Sequence, residues 1–325
     1  MANRRSLCAA AALMALPLVG RAQDGGDYPA KPVRVVVPLP PGSIPDLLGR
    51  AIGTHLQGAL KQPFVIENRA GASTLLAART VANAAADGYT LMVPTVTTLS
   101  LAPQLITKSG LDPLKDLTAV SLLGATNFFL CVHPSFPARS MKDWIEAVRK
   151  APGKYTYAST GNGSPHHIFM ELLKKQLNLD IVHVPYNGSE PSMMDLLSGK
   201  VDMAFLSGVL GIGNIKAGKL FGLGMSMARR SALLDTVPPI AETVPGFDWS
   251  GWIAFGGPAN LPPPVVAKLG DEILKLQATP QYRELLLKTA MEPLDPIAPA
   301  RMAEFVRSEH RRWGAAIKAS GVAVE

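Results

Sequence analysis

Cysteine is almost absent from this 325-residue chain: only Cys8 and Cys131 occur. Cys8 lies in a leader-like start, so removal of that start leaves Cys131 alone and no intramolecular disulfide can form. A core of this size stabilises itself without one. Long apolar runs are missing too. Beyond the first residues none reaches about 18, which argues against any further membrane-spanning helix. No block of Lys or Arg occurs, and nucleic acid is therefore a poor partner. The chain has no G-x-S-x-G, H-E-x-x-H or C-x-x-C signature, so it lacks the common marks of a serine hydrolase, a zincin and a dithiol redox site.

What is present begins with an export signal. MANRR is a short basic segment, and SLCAAAALMALPLVG is apolar but too short and alanine-rich for a good membrane span. Small residues then mark cleavage after Ala22, giving a signal peptide over 1–22. Arg4 and Arg5 before Ser6 and Leu7 leave both Sec and twin-arginine export open. Loss of Arg4, Arg5 and Arg21, with no acidic residue alongside, takes the formal charge from +7 to +4.

The rest reads as alternating strands and helices. PVRVVVPL, PFVIENR and YTLMVPT are strands, and SIPDLLGRAIGTHLQGAL and GASTLLAARTVANAA are helices. This βαβαβ order predicts a parallel sheet with covering helices. SLLGATNFFLCVHP is either a strand pair or one strand running between two lobes. A second αβ series follows to about Met227. The strand GWIAFGGPA and two amphipathic helices, PPPVVAKLGDEILKLQA and APARMAEFVRSEHRRWGAAIKAS, close the chain. Lobe 1 is thus expected over 27–126, lobe 2 over 127–249, and a return to lobe 1 over 250–325.

Three Gly/Ser-rich turns stand at strand ends before helices: PPGSIPD, STGNGSPHH and YNGSEPSMM. Such a turn presents unpaired N–H groups at the positive end of a helix dipole, where an anion is held well. Ligands of open α/β sheets sit outside the carboxyl ends of the strands, so the loop Pro40–Asp46 and the segment Thr95–Ser100 are candidates as well. Asp46 has a plainer alternative role as dipole-complementing charge, and Tyr186 either lines a cleft or covers the core. Met193 and Met194 read as packing, and Trp249 and Trp252 as hinge packing.

Other chemistry finds little support. GNIKAGKL at 213–220 resembles a Walker A loop, but Leu220 replaces the magnesium-binding Ser/Thr and Gly218 reads as a helix cap. His166 and His167 are adjacent and point apart on a helix, which disfavours a shared metal. No cofactor and no metal are expected. A secreted hydrolase using Ser164 or Ser43 with His166 lacks an identifiable third orienting group.

Taken together, YPAKPVRVVVPLPPGS, VIENRAGAS, ADGYTLMVPT, LDPLKDLTAVSLL, VHPSFPARS, PGKYTYASTGNGSPHH, VHVPYNGSEP and LLSGKVD resemble one family. It is the Bug, or TctC-type, family of extracytoplasmic solute receptors of tripartite tricarboxylate transporters, and the likeness runs from about Tyr28 to Val324. The resemblance implies a type II periplasmic-binding-protein fold: two α/β lobes joined by a two-crossover hinge, with the ligand cleft between them. It implies a periplasmic, monomeric and non-catalytic receptor for a small carboxylate. The partners would be TctA/TctB-type membrane subunits or, alternatively, a sensor. The matching site positions are Pro41, Gly42, Ser43, Asp46, Thr95, Thr97 and Thr98 from lobe 1. From lobe 2 they are Ser159, Thr160, Gly161, Asn162, Gly163, Tyr186 and Gly188. Carboxylate recognition in the family leans on backbone groups and bridging waters.

The chain departs from its relatives in places. Ile44 and Pro45 stand where small residues are common, stiffening the first loop. Asn187 and Glu190 replace Lys and Ala, which makes that loop more negative. Leu206-Ser207 replaces Asp-Asn. These changes favour a monocarboxylate or an aromatic acid over a di- or tricarboxylate.

Overall fold

The computed structural model describes residues 28–322; the expected leader lies outside them. The chain opens with β1 (Val33–Val37), α1 (Ile44–Leu60), β2 (Phe64–Asn68), α2 (Leu75–Ala82) and β3 (Thr90–Met92). A π-helical turn over Thr97–Leu101 leads into α3 (Ala102–Leu105), α4 (Pro113–Asp116) and β4 (Leu117–Thr126). The second series is β5 (Phe128–Val132), α5 (Met141–Lys150), β6 (Thr156–Ser159), α6 (Pro165–Leu177) and β7 (Val182–Pro185), then α7 (Ser189–Leu197), β8 (Met203–Ser207), α8 (Gly208–Lys216) and β9 (Phe221–Met225). The chain closes with β10 (Gly251–Pro258), α9 (Pro263–Gln277), α10 (Pro280–Lys288), β11 (Met291–Glu292) and α11 (Pro299–Ser320).

These elements form two sheets, one per lobe, with strand orders β11-β4-β10-β3-β1-β2 and β7-β6-β8-β5-β9. β1 pairs in parallel with β2 and β3, as its near-continuous apolar sequence VRVVV demands of a strand covered on both faces. The first sheet is nevertheless mixed, because β10 runs antiparallel to β3 and β4. The segment SLLGATNFFLCV resolves as two strands in different sheets, split at Asn127. The return path from β9 to β10 passes beside it. Asn127 Oδ1 accepts from Ser226 Oγ and from the Met227 N–H, both at 3.3 Å, and the Phe128 N–H donates to Ser226 Oγ at 3.1 Å. The two crossovers are thus laced together at one buried point.

Several local expectations are corrected. The helix expected from Gly71 begins only at Leu75, because Ala72, Ser73 and Thr74 carry φ of 47°, 50° and 76°. The strand-end segment TVTTLS keeps Thr95 as a bridge to Ile253 and winds into a π-helical turn from Thr97. Helix α10 was not anticipated, since Pro280 reads as a break. It instead occupies the first turn, with the Thr279 hydroxyl accepting the Tyr282 N–H at 3.2 Å. The return segment also does more than complete lobe 1. From α11, Trp313 packs on Phe169 of α6 and on Trp249, with centroids 5.7 and 5.1 Å apart. One apolar core therefore runs from Leu99 and Leu105 in lobe 1 to Phe169 and Phe205 in lobe 2.

Candidate ligand-binding site

A cavity of about 530 Å³ lies between the lobes. Lobe 1 contributes Pro38 and Leu39 after β1, Gly71, Ser73 and Thr74 before α2, Thr95 and Thr97 after β3, and the apolar wall Leu101, Ala102, Leu105 and Ile106. Lobe 2 contributes Thr160, Asn162, Gly163, Ser164, Pro165, His166 and Ser189. All polar groups here come from strand ends and helix starts, as the sheet geometry requires.

The lining carries no Arg, Lys, Asp or Glu. Its one titratable side chain is His166, whose pKa burial lowers to about 4, so it is neutral at neutral pH. Its Nδ1 lies 3.0 Å from Thr160 Oγ1 and its ring stands edge-on to Phe128. One buried polar group in the lining is unpaired. Thr74 Oγ1 is buried without a hydrogen-bond partner. Such a group costs about 1–3 kcal/mol unless something from outside the chain satisfies it. Thr74 also ends the run of three left-handed residues, a conformation that stores strain and clusters at ligand clamps.

The expected site residues divide into two sets. Thr95, Thr97, Thr160, Asn162 and Gly163 line the cavity. The remainder stand behind or beside it. Asp46 is buried, and its carboxylate accepts from the Gly42 N–H (2.9 Å), Arg50 Nε (3.0 Å) and Asn68 Nδ2 (3.0 Å). Burial opposes its ionisation, but the hydrogen bonds from Arg50, Gly42 and Asn68 prevail and hold its pKa below the usual value. Asp46 thereby fixes the turn Pro41–Gly42–Ser43, which stands outside the lining. Thr98 is buried with its hydroxyl 3.2 Å from Thr95 Oγ1, and it orients Thr95 by accepting the Thr95 N–H at 3.1 Å. Ser159 Oγ accepts the Gly161 N–H at 3.2 Å. Tyr186 donates to Asp195 Oδ2 at 2.9 Å and Gly188 caps α7, so both brace that helix.

Sequence reasoning did not assign Pro38, Leu39, Gly71, Ser73, Thr74, Leu101, Ala102, Leu105, Ile106, Pro165 or Ser189 to the site. Ser164 and His166 entered as part of the anion-holding turn STGNGSPHH and as a hydrolase pair without a third orienting group, but not as ligand contacts. Ser164 is the N-cap of α6, accepting the His167 N–H at 3.3 Å, so its hydroxyl is engaged in the helix start.

Two α/β lobes with a neutral, hydroxyl-rich cavity between them define a two-lobed solute-binding protein. The family model described as "Tripartite tricarboxylate transporter family receptor" matches residues 48–322. The chain belongs to this TctC, or Bug, family of periplasmic solute-binding receptors. It is 32% identical to the protein BugT of Bordetella pertussis over 302 residues, covering 90% of each chain. Among solved structures it resembles Rpa4515 of R. palustris with adipate at 31% identity and a TM-score of 0.81, covering 91% of this chain and 99% of that one. It also resembles MatC from Rhodopseudomonas palustris with bound malate, at 30% identity and a TM-score of 0.76, covering 89% and 100%.

Proposed function

We propose that this protein is an exported periplasmic receptor that captures a small carboxylate-bearing solute between its lobes and delivers it to the membrane subunits of a tripartite transporter. Lobe 1 comprises 27–126 and 250–325, and lobe 2 comprises 127–249. Ligand that touches Thr74, Thr95 and Thr97 on one side and Thr160 and Asn162 on the other favours the shut state by its differential affinity. The protein acts as a monomer without catalysis.

The carrying observation is the cavity lining: hydroxyl and amide groups from both lobes, without one charged side chain. The Thr160 and Asn162 N–H groups have no acceptor among the described residues and stand just before α6, where the helix dipole favours an anion. Bound adipate and malate in the two relatives support the same ligand class. The apolar wall from Leu101 to Ile106 suits the hydrocarbon part of such a ligand, and a single carboxylate with an apolar body fits it best.

Thermal-shift screening against adipate, malate, citrate and benzoate tests the reading. A ligand that binds only the native state raises Tm through RT ln(1 + [L]/Kd). A flat response to every carboxylate overturns the ligand class. Tight binding of adipate, malate or citrate, with none of benzoate, overturns the monocarboxylate preference alone.

A further inference from the structure

Behind the lobe-2 rim of the cleft three rings are stacked. His167 of α6 and His183 of β7 lie face to face, 4.0 Å between centroids and 10° between planes. Tyr157 of β6 stacks on His183 at 4.7 Å. Each imidazole grips one end of the loop that lines the cavity. The Gly163 N–H donates to His167 Nδ1 at 3.1 Å. His183 Nε2 lies 2.7 Å from Ser159 Oγ, the same oxygen that accepts the Gly161 N–H.

A backbone N–H only donates, so His167 Nδ1 is unprotonated in this arrangement and its ring proton sits on Nε2. Protonation would turn Nδ1 into a second donor facing the Gly163 N–H. The bond would then be replaced by two opposed N–H groups, and the loop would have to move. A charge on His167 would also face His183 across the stack, so the pair resists double protonation.

We propose that His167 and His183 are positioning residues of the cleft: as a neutral pair they fix the 159–163 loop in its ligand-receiving shape, and protonation of His167 releases it. The proposal rests on the cleft being the ligand site. It makes ligand capture sensitive to acid although no titratable group of the pair touches the cavity.

The charged surroundings are few. On α6, Glu171 accepts from the Tyr157 hydroxyl at 2.6 Å and pairs with Lys174 Nζ at 2.7 Å. Burial lowers the pKa of both imidazoles. Lys174 acts in the same direction on each and Glu171 opposes, while for His183 the neighbouring His167 adds to the lowering, bringing it to about 4. His166 turns away to Thr160 and Phe128 and titrates separately.

Nitrogen-15 NMR of the ligand-free protein from about pH 8 to pH 4 reads the coupling without any ligand. The Gly163 amide signal is expected to move with the same midpoint as the His167 ring nitrogens. In His167→Asn, whose Oδ1 can accept without titrating, the amide should stay near its neutral-pH position and lose the step. In His167→Ala it should be displaced at every pH. Calorimetric titration with adipate, read at each pH against His167→Asn because the ligand's own carboxyls take up protons in this range, should show an additional weakening in the parent protein as His167 is protonated, of up to about tenfold, the worth of one loop hydrogen bond. A Gly163 amide that ignores the His167 titration overturns the proposal, and so does an equal loss of affinity in the Asn variant. If adipate binds at neither pH, adipate is lost as a ligand for the cleft, and the amide titration still decides whether the histidines position the loop.

Discussion

Leu105, on the lobe-1 wall, lies so close to Gly163 of lobe 2 that a methyl group added at Gly163 would sit 2.7 Å from Leu105 Cδ1. Gly163 also has a φ of +71°, so any side chain there is strained as well as crowded. This is a direct contact between the two walls of the cavity, and it ties the spacing of the lobes to the absence of one Cβ.

Gly163→Ala should therefore weaken ligand binding by roughly tenfold. The left-handed backbone costs about 1–2 kcal/mol, and the methyl holds the lobes apart. Leu105→Ala in the same chain should recover the steric share and leave the backbone share. Titration of both variants with adipate checks this. Losses that merely add in the double variant would show that the contact does not govern closure.

Thr74→Val should separate stability from binding. It removes a buried hydroxyl that has no partner in the ligand-free chain, so thermal stability should stay level or rise. Ligand affinity should fall, by about 1–3 kcal/mol if the hydroxyl meets the ligand. A Tm without ligand and a Tm shift with ligand supply the two readings. An unchanged ligand shift would exclude Thr74 from recognition.

Asn127→Ala should lower Tm by several degrees. It leaves the Met227 N–H without its acceptor and takes away the Ser226 Oγ contact, both at buried positions. An unsatisfied buried donor costs about 1–3 kcal/mol. A surface substitution at Lys142 serves as the control, and an equal Tm for both would contradict the role of Asn127 in lacing the crossovers.

Acid should destabilise the protein before its carboxylates are protonated. His166 takes its proton near pH 6.5 when unfolded and only near pH 4 when folded, because burial disfavours the charge. Between those values the unfolded state binds more protons. Stability present above about pH 6.5 is thus lost progressively as the pH falls towards 4. Asp46, whose folded pKa is lowered, adds a further loss below its unfolded pKa. Tm against pH should decline through this window, and His166→Gln should remove its share of the upper decline, with the lowered pKa values of His167 and His183 supplying the rest.

The strands were legible because each lobe buries its sheet on both faces. VRVVV, FFLCV and MAFLS are nearly unbroken apolar runs bounded by Pro, Gly or polar residues, and only strands covered on both sides tolerate that. The αβ alternation and the crossover near Asn127 followed from the same pattern. Short elements without such runs were not legible. Helix α10 hides behind Pro280, and β11 is only two residues long.

The site was legible where a turn signals itself. Gly161 and Gly163 mark the lobe-2 loop, and Thr95 and Thr97 follow an obvious strand. Ser73 and Thr74 were not, because GASTLLAARTVANAA has an ordinary helical pattern and its first residues reveal their left-handed backbone only in the fold. Leu101 and Leu105 carry no local sign at all, since an apolar residue in a helical turn looks like core whether its neighbour is core or a ligand.

The sequence alone determined the two lobes, their family and the anion-favouring turns, because hydrophobic period, glycine placement and local motifs act over short stretches of chain. The tertiary structure decided which groups those turns aim at the cavity and which they spend on themselves. Asp46 reaches Asn68 at the end of β2 while Thr74 is left unpaired, and His183 of β7 stacks on His167 of α6. Those outcomes depend on distances between segments far apart in sequence, set by how the sheets pack and how the two crossovers are joined.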